Sequence, residues 1–171
     1  GPRMAEFDGR VVSNFVLQAL TDKPITIFGD GSQTRSFCHV SNLVDGLVRL
    51  MNSGSHMRRP CNLGNPQEFT INELAELVIK KTRSKSRIVF EPLPQDDPTR
   101  RRPDISLAIA ELGWTPDIQL LDGLDNTIAH FKVQLQQKVE TGRSSDRVRH
   151  LAEMLFLRQP KSLSMVFAGL E

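Results

Sequence analysis

Arginine suits a phosphate or a carboxylate, because its planar fork donates two parallel hydrogen bonds to such an anion. Three places in the sequence set arginine where an anion would meet it. The first is residues 28–37, FGDGSQTRSF, where a Gly-Asp-Gly turn delivers Arg35 between two apolar runs. Tight turning explains the glycines, which take positive φ cheaply. It does not explain Arg35, for which an ion-paired surface side chain is the plainer reading of the turn alone. The second is residues 95–106, QDDPTRRRPDIS, with Arg100, Arg101 and Arg102 in a Pro-bounded loop. Charge runs are ordinarily solvated, here with Asp96 and Asp97 as neutralising neighbours, but loops carry ligands more often than helix faces do. Two arginine sources far apart in sequence would clamp a diphosphate from both sides. The third is Arg10, at a helix start after Asp8-Gly9. Free amides and the helix dipole favour an anion there, although an ordinary helix start accounts for it equally.

Other chemistry has no footing. The four histidines, His39, His56, His130 and His150, show no ligand spacing, and no CxxC or HExxH metal motif occurs. His39 reads as a strand residue near the anion site, or as a packed one. There is no GxSxG elbow and no GxGxxG after a strand. The chain has no tyrosine at all.

The elements that would hold these arginines follow from periodicity. Val12, Phe15, Val16, Ala19 and Leu20 share one helical face, and Pro24 limits the helix. Residues 25–28 form a strand. Ser41 is the expected N-cap of the next helix, with Leu43, Val44, Leu47, Val48 and Met51 as its buried stripe. A polar loop spans residues 52–59, and residues 61–63 read as a strand. Thr70-Ile-Asn-Glu73 is a capping box for a helix burying Ile71, Leu74, Ala75 and Val78. Residues 87–91 read as a strand. Asp104 caps a short helix that Gly113, Trp114 and Pro116 stop. Leu124, Ile128, Phe131, Leu135 and Val139 mark a last, longer helix. From residue 140 the character shifts to a linker, with one more helix expected at 147–158. The outcome is a small α/β assembly, mostly helices with a few short strands.

Composition is that of a globular chain, 39% apolar and 25% charged over 171 residues, room for one ordinary domain. A net charge of +2 gives no argument for nucleic acid or a membrane surface. No apolar stretch approaches the ~20 residues of a membrane helix, and no signal peptide opens the chain. Cys38 and Cys61 fit a reducing compartment, while a single disulfide stays open on arithmetic.

In order along the chain stand GPRM…DGRVVSNF, ITIFGDGSQTRSFCHVSNLVDGLVRLMN, NLGNPQEFTINELAELV, PQDDPTRRRPDISLA and LGWTP. Over residues 1–138 these resemble the C-terminal half of the UDP-glucuronic acid decarboxylases (UDP-xylose synthases), within the extended short-chain dehydrogenase/reductase family. Dehydratases and epimerases of that family share looser versions.

The resemblance implies a nucleotide-sugar-binding C-terminal portion, residues 1–139, and a divergent tail, residues 140–171. It implies that NAD oxidises C4 of UDP-glucuronate, that the β-keto acid loses carbon dioxide, and that the ketone is then reduced. On that pattern Phe28 lies on the wall that holds uracil, where relatives often carry tyrosine, and Gln33 joins it. Arg35 is a diphosphate ligand. Arg102, with Arg101 beside it, is the second. Arg10 faces NAD or the sugar carboxylate, and Arg100 is solvated. The Rossmann domain, the glycine-rich NAD loop and the catalytic Tyr–Lys pair belong to the half that this sequence lacks. The expectation is therefore a fragment without turnover of its own, exposing apolar surface. Expected partners are the UDP-sugar, the Rossmann half or full-length subunits, and a homodimer in the complete enzyme. The implied compartment is cytoplasmic, or the Golgi lumen for a membrane-anchored form. An inactive UDP-sugar-binding or regulatory module, or a fragment of a related dehydratase or epimerase, is the alternative.

Overall fold

The computed structural model describes residues 1–5, 9–55, 57–93 and 100–140. Asp8, the acidic pair Asp96 and Asp97, and the helix expected at 147–158 lie outside those residues. The chain divides into two compact units, Gly1–Phe131 and Lys132–Glu171, with the division inside the last of the described helices.

Helix α1, Val11–Leu20, buries Phe15, Val16, Ala19 and Leu20, the face its periodicity predicts. Strand β1, Ile25–Phe28, follows the Pro24 break, with Ile25 and Ile27 fully buried. The turn after β1 needs its glycines: Gly29 and Gly31 sit at φ 74° and 76°, and a Cβ on Gly31 would overlap the Asn72 amide. Asp30 Oδ1 accepts from the Ser32 amide and hydroxyl at 2.9 and 2.6 Å, closing the turn into β2, Thr34–Ser36.

Helix α2, Val40–Met51, departs from expectation twice. Its N-cap is His39, whose Nδ1 accepts from the Ser41 amide at 3.3 Å; Ser41 is already inside the helix. Its inward face is not the apolar stripe. Val44, Leu47 and Met51 are 52%, 51% and 83% exposed, whereas Asn42 and Gly46 are buried. Asn42 is a hub, which is why it faces in. Its amide donates to Asp117 Oδ1, its Oδ1 accepts the Ile118 amide, and its carbonyl accepts Trp114 Nε1 at 3.1 Å. Gly46 permits close approach, since a Cβ there would lie 2.9–3.0 Å from Leu63 and Trp114.

Residues 61–63, expected as a strand, take no strand pairing among the described residues. Cys61 and Leu63 instead pack on a small core of Ile105, Ala108 and Trp114. Strand β3, Glu68–Thr70, leads into α3, Ile71–Thr82, through the expected capping box: Thr70 Oγ1 accepts the Glu73 amide at 3.1 Å, and Glu73 Oε2 accepts the Thr70 amide at 2.7 Å. Strand β4, Ile88–Glu91, and a two-residue β5, Arg100–Arg101, complete the strands described.

Helix α4, Ser106–Leu112, starts where Asp104 Oδ1 accepts the Ser106 amide at 2.9 Å. Gly113 ends it in the left-handed region at φ 56°, and the fully buried Trp114 returns its amide to Ala108 O. Helix α5, Leu120–Glu140, starts earlier than its apolar period suggested.

The strands form two small sheets: β1 beside β4 in parallel, and β3-β2-β5, with β2 antiparallel to β3 and parallel to β5. The main core lies between α1, α3 and β1. Both sheets stay small and helices dominate, as the sequence implies.

Candidate functional site

The turn after β1 opens on a cavity of about 770 Å³ within the first compact unit. Helix starts gather on it. The first residues of α1, α3 and α5 line it, and so does the N-cap of α2. The first amides of α3 are taken up by Gln33 O, Gly31 O and Thr70 Oγ1, and the Ser41 amide of α2 by His39, so what these ends bring is the positive end of each helix dipole, which favours negative charge in the cavity.

Five of the six expected site residues line this one cavity: Arg10, Phe28, Gln33, Arg35 and Arg101. Arg10 is the N-cap residue of α1, and its carbonyl accepts the Asn14 amide and the Ser13 hydroxyl at 3.0 and 2.9 Å. Phe28 ends β1 and leaves 49% of its surface exposed. Gln33 reaches back across the turn, its Nε2 donating to Phe28 O at 2.7 Å, which fixes the aromatic residue against the polar one. Arg35 is the middle residue of β2, and its Nη1 donates to Thr34 O at 2.8 Å.

The arginine triplet is sorted by strand geometry. Side chains alternate along a strand, so Arg100 and Arg101 point opposite ways. Arg101 stands opposite Arg35 in the parallel β2–β5 register and lines the cavity with it. Arg100 instead grips Glu68 in a fork, Nε to Oε1 at 2.7 Å and Nη2 to Oε2 at 2.6 Å. Arg102 Nη1 lies 4.0 Å from the same carboxylate. Arg102, expected to lead the triplet at the site, is half exposed and is not among the residues that line the cavity. Arg100, expected to be solvated, is 64% exposed and ion-paired with Glu68. Hydrogen bonds from Arg100 and then Thr34 hold the Glu68 carboxyl down at about 2.

His39, expected as a strand residue near the anion site or as a packed one, is the N-cap of α2 and lines the cavity. It is buried on the cavity wall, and burial holds its imidazole below the ordinary histidine range. No local signal distinguished it, because Ser41 outranks histidine as a cap by type. Cys38 also lines the cavity, and burial pushes its thiol up, away from thiolate chemistry at neutral pH. What the arrangement offers is recognition: an aromatic face, an amide, two arginines in register and helix starts around one anion-favouring space.

Residues 1–64 match the model of the NAD dependent epimerase/dehydratase family. UDP-glucuronic acid decarboxylase 1 of Danio rerio is 47% identical over 165 residues, covering 96% of this chain and 36% of that protein. UDP-glucuronic acid decarboxylase 4 of Arabidopsis thaliana is 49% identical over 147 residues, covering 85% and 33%. The chain belongs to the NAD dependent epimerase/dehydratase family.

Solved structures agree with that membership. UDP-glucose 4-epimerase from Thermotoga maritima with UDP-glucose superposes with a TM-score of 0.75 at 29% identity, covering 79% of this chain and 43% of that one. UDP-glucuronic acid 4-epimerase from Bacillus cereus, in complex with UDP-glucuronic acid and NAD, gives a TM-score of 0.73 at 27% identity, covering 78% and 42%. The fold is part of an extended short-chain dehydrogenase/reductase. This member of the family spans about a third of the length of the decarboxylases it matches. No helix among the described residues is long and apolar enough to cross a membrane.

Proposed function

We propose that residues 1–139 are the nucleotide-sugar-binding portion of a UDP-glucuronate decarboxylase that makes UDP-xylose. The observation that carries this is the pairing of Arg35 with Arg101 in register on one wall of the anion-favouring cavity. In this reading the two guanidinium groups take the diphosphate from either side, while Phe28 and Gln33 at the turn take the uracil ring and its polar edge. The decarboxylases are also nearer in sequence, at 47–49% identity, than the epimerases of known structure at 27–29%.

NAD, when bound, supplies hydride removal and return at the sugar. The sequence contains no glycine-rich phosphate loop. The part this chain's residues take in holding NAD is therefore confined to Arg10 and the start of α1, which face the cavity. With no tyrosine in the chain, a tyrosine-based proton transfer at the sugar hydroxyl is not assigned to it. Its own work is to bind the substrate, orient it and neutralise its charge.

Calorimetric titration with UDP, UDP-glucuronate and NAD tests this. Binding of the UDP species without NAD, weakened about tenfold or more by Arg35→Ala, is expected from the loss of charge-assisted hydrogen bonds. Preference for NAD over UDP, or indifference to Arg35→Ala, would contradict it.

A further inference from the structure

The turn that carries Phe28 and Gln33 to the cavity is tied down from outside it. Within itself the turn is closed by the Asp30 carboxylate on Ser32 and by the Gln33 amide on Phe28 O. Three of its carbonyls accept from the start of α3: Asp30 O from Asn72 Nδ2 at 2.9 Å, Gly31 O from the Asn72 amide at 3.1 Å, and Gln33 O from the Ile71 amide at 3.1 Å. Asn72 thus gives two of the three bonds, one of them from its side chain. The same carboxamide fills the space beside Gly31 where a Cβ would otherwise stand.

Nothing in α3 itself asks for asparagine at this position. The helix start is capped by Thr70 and Glu73, whose reciprocal bonds leave the Asn72 side chain out. Asparagine is also a poorer helix residue than alanine or leucine. Its carboxamide serves the turn instead. Asn72 is not among the residues that line the cavity, whereas Phe28 and Gln33 are. It therefore acts on a ligand through the turn and not by touching it. Arg35 is held differently, by its pairing in β2 with β3 and β5.

We propose that Asn72 is a positioning residue for the nucleoside end of the ligand: it locks the Gly29–Gly31 turn onto α3, so that Gln33 and Phe28 are in place for the base. This rests on the nucleotide-sugar reading of the cavity. A turn ordered beforehand loses little conformational freedom when the base arrives, and binding is tighter for it.

Asn72→Asp separates this role from folding. The carboxylate has the size of the carboxamide but cannot donate to Asp30 O, and an acid in the first turn of a helix suits its dipole. So α3 keeps its stability while the turn loses its tie. The expected result is an unchanged melting temperature, pyrophosphate affinity within about twofold, and a loss of about three- to tenfold for uridine, the size of one hydrogen bond. In ¹H–¹⁵N spectra the Gln33 side-chain amide signals should move toward those of free glutamine, which a role confined to α3 would not produce. Asn72→Ala removes the donor without adding charge and should give the same pattern; it decides the matter if Asn72→Asp melts lower. Uridine affinity indifferent to both variants would overturn the proposal. So would equal losses for uridine and pyrophosphate, or Gln33 signals that do not move. Failure of the unaltered chain to bind UDP would overturn the nucleotide-sugar reading and the Asn72 role with it. UDP binding with no uridine effect overturns the Asn72 role alone.

Discussion

Arg35 and Arg101 stand opposite each other on the parallel strands β2 and β5, and both face one cavity. Like charges directly across a strand pair repel, and an anion lying against both would relieve that repulsion. Among the described residues no acid pairs with Arg101, whereas Glu68 takes up Arg100 and approaches Arg102.

Strand parity therefore makes a sharp prediction. Arg101→Ala should weaken UDP binding about tenfold or more, in line with a lost charge-assisted hydrogen bond. Arg100→Ala and Arg102→Ala should leave it within about twofold, since ion pairs of this exposure contribute little. Titration of the three variants checks this, and equal losses across the triplet would mean that the alternation does not hold.

Glu68 gives a pH signature. Its carboxyl is held at about 2, below the usual carboxylate range, by hydrogen bonds from Arg100 and Thr34. A lowered folded pKa stabilises the fold above the unfolded value and loses that effect as pH falls through the folded one. The contribution should thus be complete above about pH 5 and fade between pH 4.5 and about 2. Thermal melts of Glu68→Gln should show a flatter pH profile in that window than the unaltered chain. Identical profiles would contradict the pairing.

Helix α2 shows what the sequence conveys and what it conceals. The Thr70–Glu73 box and the Gly113–Trp114 stop were legible because their partners lie within a few residues of each other. The inward face of α2 was not, because it is set by Asn42 and Gly46 meeting Asp117, Ile118 and Trp114 some seventy residues away. Apolar periodicity marks a face that wants cover, not the face that this part of the chain covers. Residues 61–63 misread for a related reason: a strand needs a neighbour to pair with, and no local signal supplies one. Likewise the turn alone left Arg35 as an ion-paired surface residue and only the resemblance gave it a ligand role, while the choice among the three arginines draws on the β2–β5 register.

From the Asn42 hub, Asn42→Leu should cost about 2–4 kcal/mol, because it strands the Ile118 amide and the Asp117 carboxylate together. Chemical denaturation measures this. A change below about 0.5 kcal/mol would show that the hub is dispensable.

The outward face of α2 predicts the reverse. Val44 and Leu47 are half exposed, and Met51 more so. The double variant Val44→Lys with Leu47→Lys should keep stability within about 0.5 kcal/mol and reduce self-association. Light scattering after size exclusion, read beside a melt, decides it. A collapsed transition would mean that these side chains are packed.

The central claim is that two arginines in register hold a diphosphate. Calorimetry of UDP against uridine tests it most directly, on the unaltered chain and on Arg35→Ala with Arg101→Ala. The account predicts that UDP binds more tightly than uridine to the unaltered chain, and that the double variant erases the difference while uridine binding persists. Equal binding of UDP and uridine to the unaltered chain, or an advantage for UDP that survives the loss of both arginines, would contradict it.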